Sequence, residues 1–161
     1  MRKPSGGENS SKASNSCYSS EKILAKEFCS TLESSKSPWG QVDIVREFNY
    51  IRGRTDVVAI DKDENVYAFE LKLDKWSQAL QQAYRNTCFA HGSYVVLPES
   101  KARYAYRYLH EFSRHSVGLC SIEKGTIVIL VPATFQSPIQ PWLSNSAISK
   151  CKEKGSNDSR G

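Results

Sequence analysis

Apolar residues near the beginning of the chain recur three or four positions apart, which is the spacing of one face of an α-helix. The apolar positions of this first helix are Ile23, Leu24, Phe28 and Leu32. A helix-start signal, Ser19-Ser20-Glu21, precedes them, and the Ser-Lys-Ser-Pro sequence that ends at Pro38 interrupts the pattern. The chain is therefore predicted to begin its folded part with a helix.

Runs of β-branched and aromatic residues follow this helix and predict three strands, at residues 42–48, 54–60 and 65–73. A short polar segment, residues 61–64, separates the second strand from the third. Because so short a connection joins antiparallel neighbours, these two strands are expected to form a hairpin.

Helical and strand patterns alternate in the second half of the chain. Asp74 can cap a helix that ends near His91 and Gly92, and a short buried strand follows at residues 94–98. One helix of crossover length separates this strand from the strand ending at Leu73, so the two should lie parallel in one sheet. A helix at residues 99–112 and a hairpin with strands at residues 117–122 and 126–131 complete the pattern, joined by a turn at residues 123–125. The fold class is therefore α/β, with a mixed sheet flanked by helices.

Most of the apolar residues lie between residues 19 and 132, which is the size of one ordinary domain. The flanking segments, residues 1–18 and 133–161, are rich in Ser, Asn, Lys, Gly and Pro. Such segments bury too little apolar surface to offset the loss of chain entropy, so both are predicted to be flexible tails.

The formal charge of +5 and the sequence pI of about 8.9 suit a phosphate-bearing partner without identifying one. No apolar run reaches the roughly 18 residues that span a bilayer, and the N-terminus lacks the apolar segment of a secretory signal. The five cysteines are scattered, without zinc-ligand spacing, and their number is odd. A soluble, cytoplasmic protein with reduced thiols and no membrane partner is expected.

Charged residues occupy the end of the otherwise apolar strand at residues 65–73. Glu70 and Lys72 are two positions apart, so their side chains point to the same face of the sheet. The predicted hairpin pairs Asp61 with Asn65 and therefore brings Asp56 opposite Glu70. A slip of the pairing by two residues would leave Asp56 on the same face, so the clustering of these side chains does not depend on the register in detail.

Two half-buried carboxylates with Cβ atoms about 4.5–5.5 Å apart repel each other unless a cation lies between them. Acidic oxygens, waters and a substrate phosphate form the ligand set that Mg²⁺ usually takes. The ammonium group of Lys72 could orient or help to deprotonate a water on that metal and stabilise charge developing on the phosphate. These parts suit hydrolysis of a phosphodiester, and they require no organic cofactor.

The sequence Gly53-Arg-Thr-Asp56, followed after a short turn by Glu70-Leu-Lys72, resembles the signature of the PD-(D/E)XK nuclease superfamily, with Thr55 in place of its proline. Members include restriction enzymes, repair nucleases and the small Holliday-junction resolvases, to which this chain looks most similar. The resemblance implies a restriction-endonuclease-like αβββαβ core at residues 20–98, here with an extra helix and a C-terminal hairpin.

The resemblance further implies a Mg²⁺-dependent enzyme that hydrolyses DNA phosphodiester bonds, most simply as an endonuclease. Asp56 and Glu70 would bind Mg²⁺, or Mn²⁺ in its place, together with the backbone carbonyl of Leu71. Lys72 would assist the attacking water. The alternative is a non-catalytic nucleic-acid-binding subunit that retains the nuclease fold.

Residues on the two helices next to this strand are candidates for accessory roles. Glu21 is similar to the helical acid of the resolvase branch, although Glu27 competes with it, and a first-turn acid also interacts favourably with the helix dipole. Gln78 and Gln82, one turn apart on the second helix, could contact phosphate or metal-bound water. Glutamines facing solvent would give the same pattern.

Arginines near the motif and in the Tyr-rich segment are weaker candidates for nucleic-acid contacts. Arg52 and Arg54 precede Asp56, and Arg54 is predicted on its face of the sheet, where it could hold a phosphate. Arg103 and Arg107 alternate with tyrosines, as in surfaces that contact both phosphates and bases, or in a helix that simply covers the sheet. Because cutting both strands of a duplex or both arms of a junction usually takes two sites, a homodimer is expected, with the late hairpin or the Tyr-rich helix as interface.

Overall fold

The structure is a computed structural model that describes residues 18–158. It contains five helices and six strands within these residues. In chain order they are α1 (Glu21–Leu32), β1 (Val42–Tyr50), β2 (Gly53–Asp61), β3 (Val66–Leu71), α2 (Trp76–Asn86), β4 (Gly92–Pro98), α3 (Glu99–Tyr106), α4 (Leu109–Arg114), β5 (Val117–Glu123), β6 (Thr126–Val131) and α5 (Pro141–Asp158). Of the flexible tail predicted at residues 1–18, only Tyr18 lies within the described residues. Its side chain is buried, so the prediction of a flexible tail is wrong at Tyr18.

The six strands form one mixed sheet in the order β1-β2-β3-β4-β5-β6. Strands β1, β2 and β3 are antiparallel neighbours, β3, β4 and β5 are parallel, and β6 returns antiparallel to β5. The predicted mixed sheet is confirmed, together with the parallel pairing across α2 and the final hairpin. The fold is α/β, with helices covering a sheet that does not close into a barrel.

Apolar side chains fill both faces of the sheet. Helix α1 covers one face, where Leu24 and Phe28 pack with Phe69, and the rings of Phe28 and Phe69 lie 4.9 Å apart. The other face is covered by α2, α3 and α4 over β4 and β5, and by α5 over β1 and β2. Because strand β3 is covered on both faces, any charged side chain at its end lies against packed protein.

Helix α1 begins where the sequence predicted it. The hydroxyl of Ser20 accepts a hydrogen bond from the backbone N–H of Ile23 at 3.2 Å, which satisfies one of the free N–H groups of the first turn. Further along the helix, the carboxylate of Glu27 accepts a hydrogen bond from the backbone N–H of Gly125 in the β5–β6 turn. Glu27 therefore fastens α1 to the final hairpin.

Strand β3 and helix α2 have slightly different ends from those predicted. The strand ends at Leu71, although the N–H of Lys72 still donates to the carbonyl of Val96 on β4. The N-cap of α2 is Lys75, without a side-chain cap, so the predicted capping role of Asp74 is wrong. Asp74 instead lies 3.7 Å from the ammonium group of Lys101 on α3, and this ion pair joins the starts of the two helices.

The single helix predicted at residues 99–112 is wrong, because the chain forms two helices, α3 and α4. The N–H groups of Arg107 and Tyr108 donate to the carbonyls of Tyr104 and Ala105, three residues earlier, which tightens the chain into a turn. Tyr108 then stacks on Trp76 of α2, with ring centres 4.6 Å apart, while Phe112 is fully buried.

The flexible tail predicted at residues 133–161 is wrong for residues 141–158, which form α5. Leu143, Ala147 and Cys151 recur every four residues and pack against β1 and the segment after α2. The hydroxyl of Ser144 donates to the carbonyl of Phe89, and the N–H of Gln140 donates to the carbonyl of Cys88. Residues 159–161 lie outside the described part. Among the residues that are described, no helix is long and apolar enough to cross a membrane.

Candidate active site

The β2–β3 hairpin has the predicted register. Ile60 pairs with Val66, Val57 pairs with Phe69, and the N–H of Asp61 donates to the carbonyl of Asn65 at 3.1 Å. Continuing this register by one residue places Asp56 opposite Glu70, at the end of the sheet where β2 begins and β3 ends.

The carboxyl groups of Asp56 and Glu70 are in contact. They form a side-chain hydrogen bond, and Asp56 Oδ2 also accepts the backbone N–H of Leu71 at 2.9 Å. Glu70 is almost completely buried, with 2% of its surface exposed. The hairpin therefore holds two acidic side chains together, one of them removed from water.

The protein environment raises the pKa of Glu70 to about 8. Burial is the largest cause, since it disfavours the charged carboxylate, and the negative charge of Asp56 acts in the same direction. A hydrogen bond from Asn86 and the positive charge of Lys72 oppose both effects and lower this pKa. Burial and the charge of Asp56 together therefore favour the protonated form of Glu70 near neutral pH.

Asn86, at the end of α2, connects Glu70 to the neighbouring strands. Its Nδ2 donates to Glu70 Oε1 at 2.8 Å, while its Oδ1 accepts hydrogen bonds from the Tyr50 hydroxyl at 2.7 Å and from Thr55 Oγ1 at 2.9 Å. Two hydroxyl donors on Oδ1 fix the orientation of the amide, so Nδ2 must face Glu70. Asn86, Tyr50 and Thr55 were not predicted as site residues.

Tyr50 reaches this site because the side-chain alternation of β1 shifts by one residue. Ile44 faces the core under α1, but Phe48 and Tyr50, an even number of residues later, lie in the core on the opposite face. Between them Glu47 has a φ of 57°, a left-handed backbone conformation that is uncommon outside glycine. Strict alternation therefore predicts the wrong face for Tyr50.

Lys72 lies beside the two acids and also contacts α1. Its Nζ is 3.9 Å from Glu21 Oε2, and its side chain is 20% exposed. The start of α1 thus reaches over the end of β3, so Glu21 rather than Glu27 approaches the site. Glu21 lies at the outer edge of the cluster, since about half of its side chain is exposed to solvent.

The two candidate glutamines of α2 have different surroundings. Gln78 is exposed and lines a groove at the start of the helix. Gln82 is one turn before Asn86, and its Oε1 atom is buried without a hydrogen-bond partner among the described residues. The series Gln78, Gln82, Asn86 at four-residue spacing is a sequence signal that could have identified Asn86.

The four candidate arginines divide into two groups. Burial raises the pKa of the Tyr50 hydroxyl to about 12, and the positive charges of Arg85, on α2, and of Arg52 lower it, so both arginines lie near Tyr50. Arg54 is exposed at the start of β2. The remaining two lie on and just after α3, where Arg103 is paired with Glu99 and Arg107 lies over the ring of Tyr104.

The donor atoms at Asp56 and Glu70 fit a hard divalent cation better than a soft one. The described part of the chain contains no group of three or more His, Cys, Asp or Glu residues that is placed to hold a metal. A metal at this site would therefore bind the two carboxylates and complete its coordination shell with backbone oxygen, water or substrate. Mg²⁺ commonly binds in this manner. Burial is the main cause of the raised pKa of Glu70, and a cation bound beside this carboxylate would offset that cost by stabilising its charged form.

Comparisons with known proteins give one structural likeness. No protein-family model matches the sequence, and no curated protein matches it. A solved structure of a protein of unknown function from Silicibacter pomeroyi is similar, with a TM-score of 0.53 and 16% sequence identity, over 71% of this chain and 75% of that one. At this identity the likeness concerns the fold alone.

Proposed function

We propose that this protein is a metal-dependent nuclease that hydrolyses phosphodiester bonds in DNA, acting as an endonuclease. The observation that carries the proposal is the contact between the Asp56 and Glu70 carboxyl groups, with Lys72 beside them, at the end of a buried strand. A buried acidic pair costs stability unless it binds something. The pair lies where β2 begins and β3 ends, next to the partly exposed Lys72, and a substrate phosphate would bind on this side.

Asp56 and Glu70 would hold Mg²⁺ or Mn²⁺, with the backbone carbonyl of Leu71 as a third oxygen ligand. When bound, such a cation polarises a phosphate oxygen and lowers the pKa of a coordinated water. The Leu71 N–H orients the Asp56 carboxylate, and Asn86 orients the Glu70 carboxylate. The two acids are thus presented in fixed geometry, which a binding site for a small cation requires.

Within residues 18–158, the positive charge that lowers the pKa of Glu70 comes from Lys72. Its ammonium group, steadied by Glu21 at 3.9 Å, is available to orient an attacking water and to stabilise negative charge on the phosphate. Arg52 and Arg85, whose charges act on Tyr50, and the exposed Arg54 would add positive charge that attracts the DNA backbone.

The order of elements from α1 to β4 supports membership of the PD-(D/E)XK superfamily. A helix, three antiparallel strands, a crossover helix and a parallel fourth strand occur in that order, and the Glu-x-Lys sequence ends the third strand.

We also propose a cytoplasmic location, which fits four buried free cysteines, Cys29, Cys88, Cys120 and Cys151. A homodimer formed through β6 is proposed as well, since this edge strand is apolar and uncharged.

Cleavage assays test the nuclease proposal. The wild-type protein is incubated with supercoiled, linear, single-stranded and branched DNA, with Mg²⁺ or with EDTA. Cleavage is expected only with the metal, and a loss of at least about 100-fold is expected in Asp56→Asn and Lys72→Ala, because each removes a charge from the reacting centre.

The matched control is Asp63→Asn, which removes an exposed carboxylate from the β2–β3 turn and should leave cleavage unchanged. Persistent cutting by both Asp56→Asn and Lys72→Ala would refute the assignment. Salt-dependent DNA binding by all variants, without any turnover, would instead indicate a non-catalytic nucleic-acid-binding subunit.

A further inference from the structure

A groove of about 610 Å³ lies between the start of α2 and the exposed side of α3. The groove is shallow and open to solvent. Its walls carry aromatic, basic and amide side chains, including Trp76, Tyr104, Lys75, Gln78 and Gln81, together with Asp74, whose charge is paired with Lys101. None of these residues belongs to the acidic cluster of Asp56 and Glu70.

Aromatic rings extend from Trp76 and Tyr104, which line this groove, to Tyr108, which lies beside it. Trp76 stacks on Tyr108 with ring centres 4.6 Å apart and a 22° angle between the planes, and Tyr108 lies 6.0 Å from Tyr104. The guanidinium of Arg107 lies 5.7 Å from the centre of the Tyr104 ring. Tyr104 is 50% exposed and Tyr108 is 40% exposed, so the two tyrosines offer ring surface to a ligand.

The groove opens at the same edge of the sheet as the acidic pair. The parallel strands β3 and β4 both end at this edge, and ligands of open α/β sheets commonly bind outside the carboxyl ends of parallel strands. Gln78, which lines the groove, is eight residues before Asn86 on α2, and Asn86 contacts Glu70. Eight residues of α-helix span about 12 Å. This length corresponds to roughly three to four nucleotide steps of a B-form strand. One DNA strand can therefore reach both places.

We infer that this groove binds an unpaired nucleobase of the same DNA strand whose phosphate reaches Asp56 and Glu70, an inference that rests on the proposed nuclease function. Every nucleobase has a flat face that stacks on Trp or Tyr, and Lys75 and Arg107 can hold the flanking phosphates. The amides of Gln78 and Gln81 can bond to base edges. In a duplex the faces of the bases are already stacked, so only a single-stranded extension, flap or branch offers a free base.

Binding measurements with two labelled DNAs test this inference. One is a blunt duplex, and the other is the same duplex with a single-stranded extension that carries 2-aminopurine. Fluorescence anisotropy in EDTA should show that the wild-type protein binds the extended DNA at least about fivefold more tightly. The fluorescence of 2-aminopurine should fall on binding, because stacking on an aromatic ring quenches it.

Tyr104→Ala is the decisive variant, since half of this side chain is exposed and its removal leaves the core intact. It should abolish both the preference and the quenching while changing the affinity for the blunt duplex by less than twofold. Tyr104→Phe retains the ring and should behave as wild type. Trp142→Ala removes an exposed aromatic side chain of α5 and is the matched control.

The inference is overturned if wild type binds both DNAs equally, or if Tyr104→Ala weakens both to the same extent. Circular dichroism of each variant verifies that it is folded. A protein that cleaves DNA with Mg²⁺ but shows no preference for the extension refutes the groove alone. A protein that neither binds nor cleaves DNA refutes the proposed function together with it.

Discussion

Glu70 is an acidic side chain that folding removes almost completely from water. The protein raises its pKa from 4.5 to about 8, chiefly through burial and the charge of Asp56. Between these two values the folded state keeps a proton that the unfolded state has released. The folded protein is therefore favoured at the lower end of this range, and the contribution of Glu70 to stability is lost as the pH rises through it.

In metal-free solution, we expect this contribution to the free energy of unfolding to decrease between about pH 4.5 and pH 8. Each unit of pKa shift corresponds to about 1.4 kcal/mol, so the effect of Glu70 amounts to several kcal/mol at most. Urea denaturation in EDTA at pH 5, 6, 7 and 8 measures it. Glu70→Gln, which cannot ionise, should remove this part of the pH dependence.

His91 has the opposite influence, because burial lowers its pKa and the neutral ring is favoured in the folded state. Stability from His91 therefore increases as the pH rises towards 6.5. The difference between wild type and Glu70→Gln isolates the carboxyl group, and Asp63→Asn should retain the wild-type pH dependence. An unchanged pH dependence in Glu70→Gln would contradict the assigned pKa.

At the scale of single residues, local pairing rules predict only some of the side chains around Asp56 and Glu70. Asp56 and Glu70 could be paired from the sequence because a short hairpin fixes the register, and Lys72 follows from side-chain alternation in β3. Asn86 comes from a distant helix and Tyr50 from a strand whose alternation shifts at the left-handed Glu47. The shift at Glu47 has no clear local signal in residue type, whereas Asn86 could have been identified from its four-residue spacing after Gln78 and Gln82.

Helix α5 demonstrates how a short apolar stripe can be hidden in a polar segment. The contacts of this helix come from residues at four-residue spacing, among them small side chains such as Ala147. Ser, Asn and Lys residues occupy the remaining positions, so the mean hydropathy is low and a flexible tail was predicted. The strands were easier to predict because they are rich in β-branched and aromatic residues, and α2 because its apolar residues recur at helical spacing.

Replacing a buried residue of α5 tests whether the helix is part of the folded domain. Ala147→Asp would place an unpaired carboxylate against Phe48 and Phe89 and should lower the free energy of unfolding by roughly 3 kcal/mol or more. Ser146→Asp, at an exposed neighbouring position, adds the same side chain and should change stability by less than about 0.5 kcal/mol. Thermal and urea denaturation followed by circular dichroism measure both, and equal stability of the two variants would show that α5 is not docked.

The two edges of the whole sheet differ in their protection. Helix α5 packs against β1 at one edge. The other edge is β6, with the sequence Thr-Ile-Val-Ile-Leu-Val, no charged residue, and a side chain of Val128 that is 46% exposed. An uncharged edge strand presents unpaired N–H and C=O groups to another strand, and two copies related by a two-fold axis can satisfy each other in this way.

Sedimentation velocity therefore tests the proposed homodimer at the level of the whole molecule. Wild type should sediment as a dimer at micromolar concentration, and Val128→Lys should be a monomer, because the two-fold axis brings the new charges close together and Lys disfavours edge pairing. Ile139→Lys, at a 79% exposed position outside the sheet, should remain a dimer. A wild-type protein that is monomeric throughout, or a Val128→Lys variant that dimerises as strongly as wild type, would rule out β6 as the interface. Each subunit carries its own Asp56 and Glu70, so dimerisation is not needed to assemble one site. A monomeric variant should therefore still cleave single-stranded DNA but should cut both strands of a duplex less efficiently.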